Sequence, residues 1–356
     1  MPSVKSFCAA ILALLLLCSV FALPASASSL LPSVSAESAV LTEAKSGRVL
    51  YEKNARARMP MASTTKIMTA LVALEHGDPE ATVSVDPRAV GVEGSSVYLK
   101  AGEKLTLREL VYCLMLASAN DAAEAIAYHI SGSIEGFSEL MNRKASELGL
   151  TDTHFENPHG LDGESHYTTA RELAALTARA LENPDFAAIV STNSREVDSD
   201  TGRHTLFNHN KLLRSYEGCI GVKTGYTQKS GRCLVSAAER DGMTLICVTL
   251  NAPDDWNDHT RLLDYGFEHF SAQWIALPYQ CFYEMPVVSG ESGRLLCVVQ
   301  EAMSYPLLSG QSITSVVECH RFAWKMPKDG EKLGRVIFYL DGIRVAEADL
   351  TAFILN

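Results

Sequence analysis

The sequence contains no C-x-x-C pair, no histidines at a standard zinc-ligand spacing, no block of lysine or arginine, and no apolar run long enough for an ordinary membrane span. Each absence excludes a class. Without ligand spacing there is no reason to expect a structural metal, and no cofactor or metal site is predicted. Without basic clusters, and with a net charge of -11, the chain is not expected to bind nucleic acid. The nine cysteines are Cys8, Cys18, Cys113, Cys219, Cys233, Cys247, Cys281, Cys297 and Cys319. An odd, scattered set of this kind is not a disulfide framework, so most of these thiols should serve as small buried apolar groups.

What is present is enough for a large core: 356 residues, 47% of them hydrophobic. Residues 1–27 hold one lysine, Lys5, then an apolar run from Cys8 to Leu23, then Ala25-Ser26-Ala27. A basic start, an apolar middle and a small-residue end make a cleaved secretory signal, so an extracytoplasmic protein, in the wall or secreted, is expected. An uncleaved start would instead hold it at the membrane. The chain ends in a strand-like hairpin around Asp341-Gly342 followed by Thr351–Asn356, with no cationic amphipathic helix. After signal cleavage no stable membrane anchor is therefore expected. The domain division read from these textures is 1–27 signal, 28–273 mixed α and β domain, which carries the motifs described next, and 274–356 small antiparallel β domain.

Three short motifs stand in order: Ser63-Thr64-Thr65-Lys66, Ser118-Ala119-Asn120 and Lys223-Thr224-Gly225. A serine hydroxyl is a weak nucleophile and needs a base that is neutral at working pH. Lysine can be that base if burial and a second ammonium disfavour its charged form. Any S-x-x-K should occur by chance about once in a chain of this length, so the combination carries the signal. Two K-S-G look-alikes exist, Lys45-Ser46-Gly47 and Lys229-Ser230-Gly231. The first lies between two strand-like runs, 39–43 and 48–51, reads as a hairpin turn, and precedes the nucleophile.

Local patterning places the motifs. Ser63 opens an apolar helix that stops at Gly77-Asp78-Pro79, so Ser63 and Lys66 share one face. Ser118-Ala119-Asn120 breaks two helices, 105–116 and 121–130, and an extended break would send residues 118 and 120 to the same side. Residues 218–227 form a strand ahead of the strands 233–238 and 243–250, which turn at Asp241-Gly242. An exposed edge there could bind an extended substrate backbone, with Gly225 allowing close approach. Thr169-Ala170-Arg171-Glu172 reads as a capping box.

On these motifs, and on Met61–Thr69, Leu116–Ala123 and Asn157-Pro158-His159-Gly160-Leu161-Asp162, residues 36–270 resemble the low-molecular-weight penicillin-binding proteins of the D-alanyl-D-alanine carboxypeptidase type. The resemblance implies an α+β fold: a penicillin-binding, β-lactamase-like domain with an antiparallel sheet and helices, followed by a small β-rich domain. It implies a serine peptidase that removes the terminal D-alanine from peptidoglycan stem peptides and is covalently inhibited by β-lactams. Carried over by position, Ser63 is the nucleophile, Lys66 its base, and Ser118 a proton relay. Asn120, Lys223, Thr224, Gly225 and Tyr226 bind substrate, the backbone N–H groups of Ser63 and Tyr226 forming the oxyanion hole. Tyr226 stands where many relatives have histidine. Some relatives also offer an arginine to the substrate carboxylate, for which no position is assigned here.

The alternatives differ in chemistry. A DD-endopeptidase has only a larger leaving group. A serine β-lactamase usually carries E-x-x-L-N, and Glu172-Leu173-Ala174-Ala175-Leu176 lacks the asparagine. An inactive penicillin-fold binding protein has no need of an intact Ser63, Lys66 and Lys223. His154, His159 and His166 are read as structural, and His204 and His209 as pocket wall or surface.

Overall fold

The computed structural model describes residues 31–290 and 292–355; the signal assigned to residues 1–27 lies outside them. The central sheet is built from β1 (Ser38–Glu43), β2 (Val49–Lys53), β3 (Cys219–Thr227), β4 (Gly231–Arg240) and β5 (Met243–Leu250), in the order β2-β1-β5-β4-β3 with all pairs antiparallel. The first strands meet at Lys45-Ser46-Gly47, where Glu43 accepts from the Ser46 N–H and hydroxyl. That strand pair starts the sheet, but β3, which comes far later in the sequence, is its other edge.

The helices that matter for the site are α1 (Lys66–His76), α2 (Leu107–Leu116), α3 (Asn120–Ser131) and α4 (Ala170–Leu181). Ile67 through Leu74 are all buried, so α1 runs through the middle of the core rather than along its surface. A helix apolar on every side is stable only in such a place, each buried large side chain contributing about 1.5–3 kcal/mol. Its Lys66 is fully buried too.

Three local details differ from the sequence reading. Ser63 sits on a 3-10 turn, Ala62–Thr65, and the α-helix begins only at Lys66. The 118–120 break is not extended: Ser118 has φ +58°, and this left-handed step reverses the chain between α2 and α3. Thr169 does cap α4 by accepting from the Glu172 N–H, yet the Glu172 carboxylate turns to the Asp152 N–H and the Thr153 hydroxyl. The reciprocal capping box is found at Thr106 and Glu109 instead.

After α5 (Asp255–His269) the chain turns to strands: β6 (Phe270–Ala276), β7 (Cys281–Met285), β8 (Arg294–Val298), β9 (Met303–Leu308), β10 (Ile313–Cys319), β11 (Lys332–Leu340) and β12 (Ile343–Leu355). β6 pairs with β9, and the other five form a sheet in the order β7-β8-β12-β11-β10 over a core that includes Met285, Leu295, Cys297, Phe338 and Leu350. Residue 273 falls inside β6. Thr351–Leu355, read from sequence as a remnant, completes β12 by pairing with β8. Arg48, next to β2, ties the central sheet to the β6–β9 pair, donating to the Pro306 carbonyl and to Gln311 Oε1 at 2.8 Å while lying 5.3 Å from both the Phe270 and Tyr305 rings.

The seven cysteines beyond residue 27 are free thiols: Cys113, Cys233, Cys247 and Cys297 are buried, Cys219 and Cys319 half-buried, and Cys281 exposed. Four of the seven thus fill apolar core, as their scattered spacing suggested.

Candidate active site

All three motifs converge on one cleft of about 310 Å3 whose lining includes Ser63, Ser118, Thr224, Gly225 and Tyr226. Lys66 lies behind Ser63. Its Nζ is 2.9 Å from Ser63 Oγ, 2.7 Å from Asn120 Oδ1 and 2.6 Å from the His159 carbonyl oxygen. Burial, and next the nearby Lys223 charge, push the Lys66 ammonium well below the ordinary lysine range, with Asp121 opposing weakly. A neutral amine has two protons and one lone pair. Asn120 Oδ1 and the His159 carbonyl can only accept, so they take the two protons and the lone pair is left facing the Ser63 hydroxyl.

Lys223 is also buried. It donates to Ser118 Oγ at 3.0 Å and to the Thr224 carbonyl at 2.8 Å, and burial lowers its pKa to about 7. It does not line the cleft; Ser118 and Thr224 stand between it and the opening. A cation held in this way acts through its field and by orienting Ser118. An arriving carboxylate would favour its charged form.

Gly225 is required by distance. A Cβ there would lie 3.0 Å from the Ser63 backbone nitrogen and 3.2 Å from that of Thr64. The K-T-G strand therefore passes directly against the turn that carries Ser63, and β3 presents the cleft with a sheet edge. Tyr226 is 66% exposed on the rim.

The turn itself is held from behind. Ala62, just before Ser63, has φ +46°, a conformation that costs a non-glycine residue of order 1–3 kcal/mol and persists only where surroundings fix it. The loop 157–166 supplies those surroundings. Pro158 accepts from Thr69 Oγ1 at 2.6 Å, His159 accepts from Lys66, and at Gly160 a Cβ would fall 2.0 Å from the Ala62 oxygen. His166 Nδ1 accepts from the Glu156 N–H, so its Nε2 carries the proton and donates to Thr65 Oγ1 at 2.7 Å, which in turn donates to the Ala62 carbonyl. Burial lowers the His166 pKa to about 3. His159 and His166 thus support the nucleophile, a role their sequence pattern did not announce.

Further cleft residues escaped the sequence reading. Ser95, Arg232, Asp255 and Trp256 complete the lining, together with His209, which the sequence had offered as pocket wall or surface. Arg232 bonds Asp255 Oδ1 at 2.9 Å and is 44% exposed, which makes it the cation that faces the cleft opening. Asp121, fully covered, accepts from Ser96 Oγ at 2.6 Å and from the Leu99 N–H at 3.0 Å, holding the loop that brings Ser95 to the site. Asn120 Nδ2 donates to the Glu93 carbonyl of the same loop, fixing which end of its amide meets Lys66. His204 is not at the cleft: it bonds buried Glu103 at 2.7 Å.

Comparison with known proteins places this arrangement. Residues 25–254 match the family described as D-alanyl-D-alanine carboxypeptidase. The chain is 33% identical to D-alanyl-D-alanine carboxypeptidase DacF of Bacillus subtilis over 329 residues, covering 89% of this chain and 85% of that one. It is 36% identical to DacB2 of Mycobacterium tuberculosis over 67% of this chain and 84% of the relative. Among solved structures, penicillin binding protein 5 from Haemophilus influenzae superposes with TM-score 0.76 at 27% identity, covering 91% of this chain and 99% of that one. A point mutant of the Streptomyces K15 DD-transpeptidase superposes with TM-score 0.64 at 35% identity over 67% of this chain and 99% of its own length.

Proposed function

Since the chain belongs to the D-alanyl-D-alanine carboxypeptidase family and is a serine-type peptidase of that kind, we propose that Ser63 is its nucleophile and Lys66 its general base. The observation that carries this is the three-way fixing of Lys66 Nζ, with one contact on the Ser63 hydroxyl and two on oxygens that can only accept. The neutral amine takes the Ser63 proton as Oγ attacks the carbonyl of the penultimate D-alanine. The backbone N–H groups of Ser63 and Tyr226 receive the developing oxyanion, and each such donor contributes about 3–4 kcal/mol. Ser118, held by Lys223, relays a proton to the leaving D-alanine nitrogen. Water then hydrolyses the acyl-enzyme along the reverse path.

The substrate's terminal carboxylate is read by Thr224 and the Lys223 field, with Arg232 as the exposed cation nearest the opening. The acyl donor lies along the β3 edge, where backbone pairing suits an extended stem peptide. Peptidoglycan stem peptides are the substrates and β-lactams the covalent inhibitors in this reading, and the site of action is outside the cytoplasm. We retain 28–273 as the catalytic domain and 274–356 as the β domain. Mixing the protein with a stem pentapeptide tests the reading: mass spectrometry should show loss of one alanine. Penicillin should add once per chain, and an adduct that persists in Ser63→Ala would overturn the assignment.

A further inference from the structure

The loop 320–331 between β10 and β11, with the first two residues of β11, walls a second cavity on the β domain that no step at Ser63 uses. Its volume is about 750 Å3, more than twice that of the Ser63 cleft and within the range of ligand sites. Buried Met285 forms part of its floor. Phe322 and Trp324 stand on its wall, 42% and 74% exposed, and meet edge to face with ring centroids 5.2 Å apart and planes at 88°. Such a contact fixes the indole plane, and at 74% exposure most of the ring stays open to a ligand. Three hydrogen bonds hold the wall: Ala323 N donates to the Pro286 carbonyl at 2.8 Å, Val288 N to the Ala323 carbonyl at 2.9 Å, and the Tyr283 side-chain hydroxyl to the Arg321 carbonyl at 2.9 Å.

Charge is as informative as shape. The cavity is also lined by Arg321, Lys325 and Lys328, none of which has an ion-pair partner among the described residues. Of its other charged members, Lys332 pairs with Asp349 at 2.7 Å, and Glu331, the one carboxylate of the lining, accepts from the Lys328 backbone N–H. Against the single lining carboxylate of Glu331, these three cations within eight positions leave the cavity with an excess of positive charge among the described residues, on a chain of net charge -11. They repel one another unless an anion occupies the space between them.

The geometry points to a binding groove for a carboxylate-bearing polysaccharide, with a pyranose ring stacked on Trp324 and carboxylates met by Arg321, Lys325 and Lys328. The indole rewards a ligand with a flat C–H face, and the cations reward charge. A polyol phosphate has the charge without the ring, a neutral glycan has the ring without the charge, and a bilayer surface does not fill a concavity. Bound there, an acidic glycan would hold the Ser63 cleft near the polymer while stem peptides are sampled one after another.

The test is calorimetric titration of the protein with a galacturonic acid hexamer. Binding should weaken as salt is raised, and neutral chitohexaose should bind about tenfold more weakly or not at all. Trp324→Ala and the double variant Lys325→Glu, Lys328→Glu should each weaken hexamer binding about tenfold. Penicillin acylation of Ser63 and the melting temperature should be unchanged in both, which separates this outcome from misfolding and from any failure at the catalytic site. No binding of the hexamer, binding indifferent to both variants, tighter binding of poly(glycerol phosphate) that ignores Trp324→Ala, or association only with phosphatidylglycerol vesicles would each overturn the proposal.

Discussion

Lys66 shows how burial sets a protonation state and a few oxygens orient the group that results. Desolvation and the Lys223 charge both disfavour its ammonium, and its neighbours orient the neutral form. Because its folded pKa is depressed, the reactive neutral fraction grows as pH rises and is lost as pH falls through that pKa. The rate of penicillin adduct formation should therefore fall as pH is lowered through the depressed Lys66 pKa, and a rate that stays constant down to the pH at which the protein unfolds would contradict Lys66 as base. Lys66→Arg keeps the charge but cannot accept the proton, so acylation should fall about 10²–10⁴-fold while circular dichroism stays native. Gly225→Ala places a methyl 3.0 Å from the Ser63 nitrogen. It should lower acylation with little loss of fold stability, and stopped-flow acylation beside a thermal melt distinguishes the two effects.

At the scale of elements, the loop 157–166 is the part whose importance no motif announces. It approaches α1 and the 3-10 turn through Pro158, His159, Gly160 and His166, and its far side is tied to β3 by Thr227 donating to Asp162 at 3.0 Å. Gly160 has φ +92° and no room for a Cβ against the Ala62 oxygen. Gly160→Ala must move that backbone, so it should destabilise the protein by about 1–3 kcal/mol or more and lower acylation together. A lowered melting temperature with normal acylation would show that the loop is not what holds Ser63 in place.

For the molecule as a whole, buried neutral histidines set the acid limit. His166 and His259 both have pKa values lowered to about 3 by burial, His259 between Ser236 and the Thr249 hydroxyl. Unfolded histidine titrates near 6.5, so between about pH 6.5 and pH 3 the unfolded chain binds these protons and the folded one does not. The stability they contribute is complete above about pH 6.5 and is lost as pH falls toward 3, at about 1.4 kcal/mol per pH unit for each histidine. Urea midpoints measured down this range should fall, and His259→Gln should make the fall shallower by about one proton. An unchanged slope in that variant would remove His259 from the account.

The sequence by itself determined the identity and order of the chemical groups. S-x-x-K, S-x-N and K-T-G named Ser63, Lys66, Ser118, Asn120, Lys223, Thr224 and Gly225, and alternation with turn residues located β3 through β5, because short-range periodicity and turn chemistry are local properties. Tertiary structure decided what those groups are near. Only packing against α2, α3 and the 157–166 loop buries Lys66 and turns its lone pair toward Ser63, and only the strand order brings β3 to an edge beside residue 63. It also put Lys223 behind Ser118 rather than in the cleft, and placed Arg232, His209 and Trp256 there instead. Desolvation, a missing Cβ against a backbone nitrogen, and a left-handed Ser118 all depend on contacts between residues far apart in the chain. No window of sequence holds both partners, and so none could state them.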